Sequence, residues 1–253
     1  MIKKDLLLFS AIIILLLLLI VFTNSGSTVK HDSVSTHQIN NISQPVENNI
    51  SLPVENNYYK LDSSGVDTII DAGEYKSYFD VERKQPIFVS YILYKGGGDC
   101  NRSNFRFKND TEIKMATTKD YSGTGFDMGH LANAEDFAND CIAGEKTFRF
   151  YNCLPQYPNL NRGVWKRWEN RARELSQKDS ILIICGGKFG EKTIGEKVYV
   201  PEYCWKVIYS MKSGRVWKVL WFRNVSKDSD KYFEEITLEK LEERLKYKLK
   251  MTY

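Results

Sequence analysis

Asp127-Met-Gly-His130-Leu-Ala132, then Asn152-Cys-Leu-Pro-Gln156, then Asn161-Arg-Gly-Val-Trp165-Lys-Arg-Trp-Glu169 are the stretches on which the reading of this chain turns. Of the three histidines, His31 and His37 fall in a polar segment without Phe, Trp or Tyr, so His130 is the one imidazole left to a folded domain. Tyr121-Ser-Gly-Thr-Gly-Phe126 leads into it, a run whose glycines suit a tight loop. Asp127 is placed to orient the loop or the ring, and Gly129 would let the backbone turn sharply beside it. A neutral imidazole near pH 7 can take a proton from water, which hydrolysis requires, although a lone histidine is also often structural.

The second cluster supplies oxygen donors. If a helix begins near Asn161, then Asn161, Trp165 and Glu169 fall at about 0°, 40° and 80° on one face. An amide and a carboxylate two turns apart suit Mg²⁺, a hard ion that takes few protein ligands and keeps several waters. The same two residues also fit a helix start and a surface Glu paired with a Lys or Arg. Trp165 and Trp168 read as core.

Together these blocks resemble the DNA/RNA non-specific endonuclease family, whose signature is Asp-Arg-Gly-His followed by Asn-x-x-Pro-Gln and Asn-x-x-x-Trp-x-x-x-Glu. Order and spacing match. Tyr121-x-Gly-x-Gly-Phe126, Gly186-Gly187, and Val200-Pro201 with Trp205-Lys206 are similar to flanking family segments, so the likeness covers roughly 85–210. The resemblance implies an α+β fold of the ββα-metal type, with a mainly antiparallel central sheet flanked by helices.

It also implies roles. His130 would be the general base, Asn161 the direct ligand of Mg²⁺ (Mn²⁺ being the alternative ion), and Glu169 the holder of metal-bound waters. Asn152 would position the metal helix or the His loop. An upstream Arg would meet the phosphate. Arg102 is preferred over Arg106, because it stands ahead of an aromatic with Asp110 nearby. Lys166 and Arg167, with Arg171 and Arg173, could grip the nucleic-acid backbone or form a solvated face. The implied products carry 5′-phosphate and 3′-hydroxyl ends. Met128 departs from the pattern, since it stands where the family has Arg and removes a positive charge beside the site.

Outward from these blocks, Lys3 and Lys4 precede an apolar run, Leu6–Phe22, broken only by Ser10. This reads as a signal peptide or a membrane anchor over 1–24, with 6–22 as tether and the rest secreted or held outside the cytoplasm. Residues 25–57 read as a disordered polar linker, in which Ile42-Ser-Gln-Pro-Val-Glu-Asn-Asn recurs as Ile50-Ser-Leu-Pro-Val-Glu-Asn-Asn. The folded domain is expected over 58–253. Strands are expected at 87–94, 181–185, 197–200, 205–211 and 216–222, and helices at 144–151, 161–177 and 232–249. The elements do not alternate regularly, which favours α+β over a doubly wound sheet.

The net charge of +4 is compatible with a polyanionic substrate but does not by itself point to one. The five cysteines form no Cys-x-x-Cys pair, which argues against structural zinc. An exported chain could form one or two disulfides, and the odd count leaves at least one free thiol. Two rivals stand beside the nuclease reading. One is a catalytically weak or silent membrane-tethered module that only binds nucleic acid. The other is a hydrolase that pairs His130 with Cys141 or Cys153. DNA against RNA preference and oligomeric state are not legible, and a protein inhibitor would leave no trace in the sequence.

Overall fold

The computed structural model describes residues 65–227 and 229–249. The leader and linker expected over 1–24 and 25–57 lie outside the described residues, as do 58–64 and 250–253. The element order is β1 (Thr68–Asp71), β2 (Lys76–Asp80), β3 (Gln85–Leu93), α1 (Thr118–Tyr121), β4 (Asp127–His130), α2 (Cys141–Lys146), β5 (Cys153–Gln156), α3 (Lys166–Ser176), β6 (Ile181–Ile194), β7 (Val198–Ser210), β8 (Arg215–Arg223), β9 (Phe233–Glu235) and α4 (Leu238–Leu245).

Seven strands form one antiparallel sheet in the order β1-β2-β3-β6-β7-β8-β9, and β4 and β5 pair as a separate antiparallel ribbon. The central strands are apolar on both faces, as a sheet covered on both sides requires. On β6, Ile181, Ile183 and Cys185 face the larger core with α3 and the β4–β5 ribbon, while Ile184 faces a second core closed by Leu241 and Leu245 of α4. On β7, Cys204 and Ile208 share the first side, and Trp205 and Val207 the second. This is the expected α+β architecture.

Several elements differ from the sequence expectation for local reasons. The helix expected at 144–151 starts earlier, because Asp140 caps α2 by accepting from the Ile142 and Ala143 amides (2.8 and 3.3 Å). It ends when the Thr147 hydroxyl donates back to the Gly144 carbonyl (2.7 Å). The segments 197–200 and 205–211 are one strand, β7. The helix expected at 232–249 is only Leu238–Leu245, started by Thr237 and stopped by Lys246 in the left-handed region (φ 66°). Ahead of it, Phe233 pairs with Phe222 as an edge strand. The short strands β1, β2, β4 and β5 were not expected from the sequence.

Cys100 and Cys141 form a disulfide across 41 residues, and Cys153, Cys185 and Cys204 are free and buried. The covalent ring contains Arg102, Asp127, His130 and Glu135. A loop of this size restricts the unfolded chain by about 2–4 kcal/mol. Cys100→Ser is therefore expected to lower the urea unfolding midpoint by a corresponding amount, whereas an unchanged midpoint would mean that the ring adds nothing to stability.

Candidate active site

The β4–β5 ribbon carries the histidine. Asp127 pairs with Gln156, Met128 with Pro155, Gly129 with Leu154 and His130 with Cys153. The approach loop needs its glycines, since Gly123 and Gly125 adopt φ of 72° and 78°. Gly129 is needed for a different reason from the one expected. It lies within the strand, and a Cβ there would sit 2.1 Å from Oε1 of the buried Gln156, so close approach rather than a sharp turn excludes a side chain.

The Asn152 side chain clips the segment that leaves His130. Its Oδ1 accepts from the Ala132 amide (2.8 Å), and its Nδ2 donates to the Ala132 and Thr147 carbonyls (2.9 and 2.8 Å). It is fully buried and bonds to the loop rather than to the segment that carries Asn161. The His130 ring lies between Phe107 and Phe148, at centroid distances of 4.7 and 4.6 Å. Its Nε2 is covered and has no hydrogen-bond partner. Burial first, and the positive charge of Arg102 second, hold the imidazolium pKa down at about 3. The ring is therefore neutral across the physiological range.

Asp127 orients Asn161 rather than His130. Its Oδ2 accepts from Asn161 Nδ2 (3.0 Å), and Arg162 grips the same carboxylate through Nε and Nη2 (2.8 and 2.6 Å). The straight helix expected from Asn161 is broken: Leu160–Trp165 is a π-type turn in which Gly163 has non-helical angles (φ −100°, ψ −114°). Trp165 and Glu169 share the buried face, whereas Asn161 precedes the kink and is held by Asp127.

Glu169 is buried, not a surface residue. Burial raises its carboxyl pKa, against Lys206, a bond to Asn133 and Arg173, which act in the other direction. Asp136, also buried, takes Arg173 Nη1 (2.6 Å) and the Tyr91 hydroxyl (2.8 Å). Lys206 is fully buried beneath α3, with its ammonium 4.2 Å from the Trp165 ring centroid. The helix is thus pinned to the His130 segment on both sides, at Asp127 before it and at Asn133 after it.

Of the two upstream arginines, Arg102 is the one whose charge reaches His130, and it is ion-paired to Glu135. Arg106 donates to the Ser103 and Phe105 carbonyls (2.7 and 2.8 Å). Asp110, expected to accompany Arg102, instead takes Arg149 Nε (2.5 Å). The expected basic patch divides: Lys166 and Arg167 are exposed, Arg171 lies over Trp168 (4.6 Å), and Arg173 is committed to Asp136. Met128 packs, half-buried, against the main core. The cysteine rival loses its nucleophile, because Cys141 is in the disulfide and burial pushes the Cys153 thiol up to about 12.

The donor set fits a hard divalent cation. Asn161 Nδ2 is tied to Asp127, and its Oδ1 accepts no hydrogen bond among the described residues. No three His, Cys, Asp or Glu side chains converge into a metal cluster among those residues. One amide oxygen left without a hydrogen bond suits Mg²⁺ with most of its waters retained, and does not suit a soft all-protein cage.

Residues 53–248 match the family model described as DNA/RNA non-specific endonuclease. Relatives include mitochondrial endonuclease G of Bos taurus, 33% identical over 128 residues that make up 49% of this chain and 43% of that protein. A nuclease of Nostoc sp. is 36% identical over 95 residues, covering 37% and 35% of the two chains. Nuclease EXOG, mitochondrial, of Danio rerio is 30% identical over 173 residues, covering 61% and 50%. The chain thus spans half or less of the length of these relatives. Among solved structures, that of an EndoG/EndoGI complex aligns with a TM-score of 0.63 at 22% identity, covering 72% of this chain and 85% of that one, which shows a shared fold.

Proposed function

Because this chain belongs to the DNA/RNA non-specific endonuclease family, we propose that it hydrolyses internal phosphodiester bonds of DNA or RNA with little regard to sequence. The observation that carries the reading is a neutral histidine on a strand locked to a helix that bears one oriented amide and one buried carboxylate. In this mechanism His130 takes a proton from the water that attacks phosphorus. Arg102 exchanges Glu135 for the phosphate and offsets the charge that grows on it. Asn152 holds the loop that presents His130, and Asp127 holds the amide of Asn161. Mg²⁺ or Mn²⁺, held by Asn161 with Glu169 reaching its waters, would supply positive charge to the phosphoryl and leaving oxygens. The expected products carry 5′-phosphate and 3′-hydroxyl ends. Lys166 and Arg167 are exposed on the first turn of α3 and could meet backbone phosphates, which carry no base identity.

A plasmid-nicking assay with and without EDTA tests the reading and separates it from a silent binding module. Metal-dependent conversion to nicked circles supports the enzyme, and plasmid binding without cleavage would support the module. The disulfide and the apolar run 6–22 support a nuclease domain that works outside the cytoplasm.

The acid side of the pH profile gives a further expectation. Folded His130 has a depressed pKa, so it stays neutral below the ordinary histidine value of about 6.5. The acid limb of kcat/KM should therefore lie well below that value. Arg102→Ala should move the limb upward, because it removes one of the two causes of the depression. A limb at the ordinary value in both proteins would show that water reaches the ring freely.

A further inference from the structure

A cleft of about 460 Å³ opens between the end of β5 and the strands β7 and β8. That volume is enough for a nucleotide-sized group. Its lining includes Lys192, Arg223 and Lys227, with Glu202 as the only acidic side chain among the described residues. Arg223 and Lys227 are exposed and form no ion pair among the described residues. Most arginines around the active site, in contrast, are committed to carboxylates, as in the pairs Arg102–Glu135, Arg162–Asp127 and Arg173–Asp136.

Lys192 is set in place. Its ammonium lies 4.7 Å from the Phe126 ring centroid and 5.2 Å from that of Tyr157, and it donates to the Tyr157 hydroxyl (2.9 Å). A lysine has three N–H donors, so two are left for a ligand. The cleft floor is rigid as well. The buried Asn224 accepts from the Tyr157 amide and donates to the Pro155 and Pro201 carbonyls, each at 2.9 Å, which stitches the β4–β5 ribbon to the main sheet. Asn159 donates to the Ser226 and Lys227 carbonyls (2.6 and 3.2 Å) and so fixes the loop that carries Lys227.

The position adds to this. Phe126 immediately precedes Asp127, and Tyr157 follows the residue paired with it. The cleft therefore begins next to the carboxylate that holds Asn161, about 13 Å along the extended chain from His130. A strand whose scissile phosphate sits at His130 and Arg102 would run into it within a few nucleotides.

We propose that this cleft is a second phosphate subsite, in which Lys192, Arg223 and Lys227 hold a backbone phosphate of the substrate strand away from the scissile bond. The proposal rests on the nuclease reading. It gives the chain a cationic hold on the substrate strand that is blind to base identity.

The test is binding of a fluorescent single-stranded oligonucleotide to the full chain in EDTA, measured by anisotropy across a salt titration. Lys192→Gln/Arg223→Gln should bind roughly ten-fold more weakly, with a salt slope shallower by about 1 for each charge removed. Lys192→Arg should stay close to the wild type. Lys240→Gln, which removes a charge on α4, should leave affinity and slope in place. If the double variant kept wild-type affinity and slope, or if Lys240→Gln reproduced its effect, the subsite would be overturned and the nuclease reading would stand. Absence of salt-dependent binding by the wild-type chain would likewise overturn the subsite, whereas the nuclease reading falls if the wild-type chain shows no metal-dependent plasmid nicking.

Discussion

His130→Ala is expected to lower the cleavage rate by about 10²–10⁴-fold, the usual contribution of a general base. The fold should survive the change. Histidine Nε2 has no hydrogen-bond partner, so its removal leaves no donor or acceptor orphaned. The ring's neighbours, Phe107 and Phe148, belong to a wider aromatic cluster that includes Phe105 and Phe150 and remains packed without it. Plasmid nicking read together with a circular dichroism melt separates the two effects. A variant that melts like the wild type and cuts like it would remove His130 from the mechanism.

The second large effect is expected at Asn161. Asn161→Ala deletes the oxygen presented to the metal, so cleavage should fall to near background and should not recover as Mg²⁺ is raised. Asp127→Ala is the informative companion. It keeps that oxygen but removes the carboxylate that fixes its amide and engages Arg162. Loss of such an orienting partner typically costs about 10–100-fold in metal affinity. Here the rate should recover substantially at high Mg²⁺. Titrating Mg²⁺ against initial rate for the three proteins distinguishes an absent ligand from a misdirected one. Identical curves for both variants would mean that Asp127 does more than orient.

The candidate site residues are easier to read from the sequence than the elements that hold them. His130, Asn161 and Glu169 have side chains suited to hydrolytic chemistry but also fit structural roles, and it is the family resemblance that marks them, with Asn152, as candidates. The four-residue strands β4 and β5 escaped because Gly129 and Pro155 interrupt any alternation, and their pairing depends on Gln156 folding over a glycine. The apolar strand β3 and the first part of β6, 181–185, were legible because burial on both faces writes a continuous hydrophobic run, whereas the largely polar continuation of β6 to Ile194 was not. The kink at Gly163 was not, since a single glycine in a helical pattern gives no sign of which way the chain will bend. The fates of the arginines were also hidden. Arg173 reads like its exposed neighbours, and only the tertiary fold brings the buried Asp136 within 2.6 Å of it. Lys206 is the same case in reverse, a charge in a strand pattern that the fold places under α3.

The ring closed by Cys100 and Cys141 has a consequence for how the protein ages. The exposed loop positions between Arg102 and the approach at Tyr121–Phe126 lie inside the ring. A single cut there makes two ends but no separate fragment, because the bond still joins the pieces. His130 would remain on its strand, held by β5 and by the Asn152 clip. Where proteins and nucleic acids are degraded side by side, a nicked molecule of this kind would persist as one body, and only a second cut or a reductant would release the loop.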